Sequence, residues 1–166
     1  MKISLSDIIK EHFNTFKKSD GRFLVVDLVI FLVIPIILTI LIFMFVLKEI
    51  PENFVNSLLT TFSILTPLLF GLLPMTFSLI ENDHVSSNGY KLVNEFKANV
   101  LFTILLSLIL IGILLVGFLT TNWKFYCDII ICWISIEILL HLFLILNRFN
   151  ILINEYISLK NKYKNT

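Results

Sequence analysis

Four apolar runs, roughly Phe23 to Leu47, Phe54 to Ile80, Val100 to Leu119 and Tyr126 to Leu146, take up most of the 166 residues. About 20 residues of helix cross about 30 Å of hydrocarbon, and in lipid each span must satisfy its own backbone hydrogen bonds. Every run meets that length, so the expected fold is all-α: an integral membrane bundle of four transmembrane helices. A hydrophobic fraction of 57% with 16 Phe and only 5 Gly excludes a soluble core. Mean hydropathy of +0.93 points the same way. The tails, 1–22 and 147–166, and the longest connection, 81–99, are too short for a second domain, so residues 1–166 read as one unit.

Orientation follows from the basic residues. Of the 13 Lys and Arg, all but Lys48 and Lys124 fall in the two tails or the 81–99 loop. The positive-inside rule therefore puts both termini and that loop in the cytoplasm. The first run follows 22 mostly polar residues and exceeds a signal-peptide core in length, so it is expected to remain as the first span. A net charge of +1 gives no case for nucleic-acid binding. Cys127 and Cys132 stand about 140° apart on a helix and suit no metal motif, so neither a disulfide between them, a metal nor a cofactor is expected.

Ahead of the first span, Leu5, Ile8, Ile9, His12, Phe13 and Phe16 recur at helical spacing, with Ser6 placed to cap. This predicts an interfacial amphipathic helix, ended by Asp20-Gly21. In the first span Pro35 predicts a bend, and Asp27 reads as a carboxylate near the inner interface within reach of Arg22 or Arg148. In the second span, Ser57, Thr60, Thr61, Ile64, Leu68, Gly71, Met75 and Ser78 share one side, while Pro67 and Pro74 remove two hydrogen-bond donors. That strip reads as a hinge, a polar lining or a close-packing face. His84 falls in a polar turn, Tyr90 to Phe96 begins the third helix before the membrane, and Trp123 and Tyr126 suit an interface.

In the last span Tyr126, Ile130, Trp133, Glu137, His141, Leu144 and Arg148 fall within about 80° of one another. An acidic side chain at the bilayer centre costs roughly 2.5–3.5 kcal/mol on insertion scales, so Glu137 is expected to face the bundle or a wet path. Glu137 and His141, one turn apart, are close enough to share a proton or hydrogen bond. The pair reads as a packing group or as a conduction or gating group. Catalysis is not expected, because E-x-x-x-H is not the zinc motif H-E-x-x-H and no further ligand or nucleophile stands nearby in sequence.

Thr61-Phe62-Ser63-Ile64-Leu65, Asn99-Val100-Leu101-Phe102, and His141 with Leu146-Asn147-Arg148 resemble segments of uncharacterised bacterial four-span proteins, some encoded in phage-defence loci. The resemblance implies an oligomeric membrane effector or channel-like component triggered by a cytosolic partner, which would dock on residues 1–18, 81–99 or 149–166. A nonconducting anchor or regulatory subunit is the alternative, and a small proton-coupled transporter a further one without support from internal repeats.

Overall fold

A computed structural model describes residues 4–16, 29–45, 49–80, 87–117 and 124–164, all helix or short connection with no strand among them. Helix α1 is Leu5–Asn14. A π-helical turn, Val29–Val33, leads into α2, Ile34–Phe45. Then follow α3, Glu52–Ile80, α4, Ser87–Gly117, and α5, Lys124–Lys164. Arg22, Asp27, Asp20-Gly21, His84 and Trp123 lie outside the described residues.

Three helices are long and apolar enough to cross a membrane: Glu52–Thr76, Gly89–Val116 and Lys124–Ile157. A shorter apolar helix, Val29–Phe45, packs beside them. Its π turn lies directly before Pro35, whose ring cannot donate to the helical ladder, and the Thr39 hydroxyl bonds the Pro35 carbonyl at 2.8 Å.

Helix α4 is the centre of the bundle, packed on α3, α5 and α1, while α2 rests on α5. Seven of its buried positions, Val93, Phe96, Val100, Thr103, Ser107, Leu110 and Leu114, alternate steps of three and four, a heptad seam, with Ala98, Asn99 and Ile104 buried beside it. Thr103 and Ser107, in the middle of the seam, return their hydroxyls to the carbonyls four residues earlier, at 2.8 and 2.9 Å. Satisfied in this way, small polar side chains let apolar helices approach closely. Helix α5 answers with Ile131, Ile134, Ile138, His141, Ile145 and Leu152 at the same spacing, and α3 with Phe62, Thr66, Leu69 and Thr76. The side chains form two apolar clusters along the bundle, one around Leu110, Leu114 and Ile138, the other around Val93, Phe96, Val100 and Ile145, bridged by Leu65 and Leu142.

At the end remote from α1, buried Asp128 accepts the backbone N–H of Ile50 at 3.1 Å and ties the connection before α3 to α5. Pro67 and Pro74 stand within an uninterrupted helix. Ser57, Thr60, Thr61, Ile64, Pro67, Leu68, Gly71, Pro74 and Met75 are exposed. They lie roughly half a turn around α3 from the buried line through Phe62 and Leu69. The hydroxyls of Ser57, Thr60 and Thr61 bond carbonyls of their own helix at 2.8–3.0 Å, and the strip faces away from the other described helices.

Candidate functional site

The most polar part of the interior lies where α1 docks against α4 and α5. Helix α1 is capped by Ser4, not by Ser6. The Ser4 hydroxyl accepts the Ser6 N–H at 3.2 Å, and the Asp7 carboxylate accepts the Ser4 N–H at 3.1 Å. A reciprocal cap of this kind needs an acceptor three residues on, which Ser4 has in Asp7 and Ser6, followed by Ile9, lacks. The helix has two apolar edges. Leu5, Ile9 and Phe13 are exposed, and His12, Thr15 and Phe16 at its C-terminal end are buried in the bundle.

His12 lies flat on Phe102, ring centroids 3.9 Å apart and planes 2° from parallel, with Phe16 edge-on at 4.9 Å. Its Nδ1 is 2.8 Å from Oδ1 of fully buried Asn99, which also accepts the Thr15 hydroxyl at 3.3 Å. Its Nε2 meets Nε2 of His141 at 3.1 Å. His141 in turn directs Nδ1 to the Glu137 backbone carbonyl at 2.8 Å and is enclosed by Phe31 and Phe102. Burial, with His141 alongside, holds the His12 imidazole far below its ordinary 6.5, at about 3, against the opposing hydrogen bond from Asn99; Arg148 pushes the same way as burial.

Just beyond this cluster Arg148 pairs with Glu95 of α4 and also reaches the Thr15 carbonyl at 3.4 Å. A cavity of about 520 Å³ opens there, lined by Glu11, Asn14, Thr15, Lys91, Glu95 and Lys97 among others.

The stripe expected on the last helix is therefore divided. His141 lies in the heptad seam, and Arg148 and Glu137 stand at its edge, whereas Trp133 and Tyr126 are turned to the outside. Glu137 Oε1 is 3.6 Å from His141 Nδ1, too far for a hydrogen bond, because that nitrogen is already bound to the Glu137 main chain. Two buried polar atoms, Glu137 Oε2 and Asn99 Nδ2, have no hydrogen-bond partner among the described residues. The described residues hold no group of three or more His, Cys, Asp or Glu that could bind a metal. Cys127 and Cys132 are free thiols.

His12, Asn99, Thr15 and Glu95 were not singled out from sequence as parts of one site. The available signal was a histidine on the apolar face of an amphipathic helix and an amide where the apolar run of the third span begins.

Together these features define a class: an all-helical bundle of the membrane type, with an N-terminal helix pinned to it by buried polar contacts. No family model, curated protein or solved structure matches the chain.

Proposed function

We propose that this is a four-span protein of the bacterial inner membrane, termini and residues 81–99 cytoplasmic, that assembles from several copies into an effector or channel-like component controlled through α1. The observation behind this reading is the insertion of His12 from an amphipathic helix into the bundle, one contact from His141 and one turn from Glu137. An amphipathic helix that only anchored the chain at headgroups would keep its polar atoms in water. This one gives up hydration for bonds to Asn99 and His141, so its position is coupled to how α4 and α5 pack. A single bundle packed along heptad seams has no room for a pore, so conduction needs several copies. The outward strip of Ser57, Thr60, Thr61 and Gly71 is a surface on which such copies could approach closely. The phage-defence setting is part of the proposal through the resemblance alone; there a cytosolic trigger would act on α1.

The test is ion and dye flux from liposomes holding the full chain, the chain lacking residues 1–18, and Glu137→Gln. The expected result is flux that changes on removal of α1 and again with Glu137→Gln. Folded, correctly oriented protein that passes nothing in any of the three forms would overturn the effector reading in favour of a nonconducting anchor for a cytosolic protein.

A further inference from the structure

The hydrogen-bond chain through the two histidines has a proton count that its geometry fixes. The Glu137 carbonyl can only accept, so His141 Nδ1, 2.8 Å away, must carry a hydrogen. In a neutral His141 the other nitrogen, Nε2, is then a bare acceptor, and it faces His12 Nε2 at 3.1 Å. His12 must donate there. Burial holds His12 neutral, so with its Nε2–H donated to His141 its Nδ1 is bare and takes a hydrogen bond from the Asn99 NH₂, the two ends of that amide being interchangeable by half a turn; with Oδ1 facing it instead, His12 would hold hydrogens on both nitrogens. Half a turn of the Asn99 amide thus converts a pair with no excess proton into a pair with one. A second excess proton has no place, since it would set two N–H groups and two positive rings against each other at 3.1 Å.

From this count we propose that His12 and His141 form a proton-binding site that latches α1: docked, the pair accepts at most one extra proton, and taking up the second expels the helix. Released, His12 has water around it and both rings can be charged. Acid therefore favours release. The sign follows from His12 alone: ordinary when free and held low when docked, it makes docking complete above about pH 6.5 and progressively weaker as pH falls. The cavity lined by Thr15 and Glu95 opens beside the site. The charged and titratable groups around His12 are Glu11 on its own helix, Glu95, Lys91 and Lys97 on α4, and Glu137, His141 and Arg148 on α5. Of these only His141 meets the His12 ring within hydrogen-bond distance. The latch deepens the proposed control by α1, but it concerns docking and is read without flux.

The experiment places spin labels at Lys10→Cys and Asn154→Cys, both exposed positions, in a full-length Cys127→Ala, Cys132→Ala background in liposomes. Distances are measured from pH 8 to pH 4.5. The expected result is one distance at pH 7.5 and above, and below about pH 6 a second, longer population, with docking weakening by up to about tenfold per pH unit for each proton taken up. His12→Phe keeps the ring stack and removes the titration, so it should stay docked at pH 5. His12→Lys should be released even at pH 7.5, and Ile9→Ala, on the exposed edge of α1, should keep the wild-type response. A wild-type chain still docked at pH 4.5, or His12→Phe released at the wild-type pH, overturns the latch. Should His12→Phe fail to dock at all, His141→Gln decides: a flattened pH response supports the shared site, and an unchanged one refutes it. Flux that ignores α1 would sink the proposed control by α1 and leave this docking result standing.

Discussion

Replacing His12 by alanine removes, in one step, the ring stacked on Phe102 and the partners of Asn99 and His141. Leaving a buried polar group without its partner costs about 1–3 kcal/mol. Two such groups are left here, offset in part by water entering from the adjoining cavity, so α1 docking should weaken by about 2–4 kcal/mol, roughly 30- to 1,000-fold. The reporter is a thiol placed by Ala98→Cys, a small change at a buried α4 position beside Glu11, Asn14 and Thr15, in a background lacking the native cysteines. Its reaction with a membrane-impermeant thiol reagent requires α1 to lift. The modification rate should rise by the same factor in His12→Ala. Ile9→Ala, on an exposed edge of the same helix, should leave it nearly unchanged. Equal rates in wild type and His12→Ala would refute the claim that these polar contacts hold the helix in place.

Ile138→Ala, at a fully buried seam position, should lower bundle stability by about 2–5 kcal/mol through lost transfer energy and a residual cavity, while Leu139→Ala, 54% exposed, should change it little; unfolding in mixed detergent micelles compares them. Asp128→Ala leaves the Ile50 N–H without its acceptor, so exchange of that amide should quicken by roughly tenfold for a loss of about 1 kcal/mol or more, with the α1 end unaffected. Arg148→Ala breaks both the Glu95 pair and the bond to the Thr15 carbonyl and should destabilise α1 docking in the thiol assay, with little sensitivity to salt because both partners are half-buried.

Hydropathy made the long helices legible, because a run of about 20 apolar residues permits little else in lipid. The amphipathic character of α1 was legible too, since Ile8, His12 and Phe16 repeat at helical intervals. What the repeat could not say is which of its two apolar edges meets protein. That depends on Asn99 and His141, 87 and 129 residues away. The grouping on α5 went astray for a different reason. Counting at 3.6 residues per turn joins Tyr126 and Trp133 to Glu137 and His141, whereas the helices pack along a 3.5-residue seam from which Tyr126 and Trp133 are excluded. The strip on α3 was found in sequence, but its facing was not. Polar content left a hinge, a lining and a packing face all open, because hydroxyls that bond their own helix are indifferent to the side they face.

Helix α1 belongs to the same chain as the pocket it fills, joined to the π turn at Val29 through residues 15–28. Docking within one chain is intramolecular, so its equilibrium is independent of protein concentration. Under the proposed control, then, neither the amount of protein made nor its crowding in the membrane changes how often the pocket is filled. A cytosolic competitor meets a rival that cannot be diluted, and a sparse or weak one will lose. Release is left to events that act on affinity itself: a strong, multivalent grip on the exposed edge of α1, or a change in the charge of the groups beneath it.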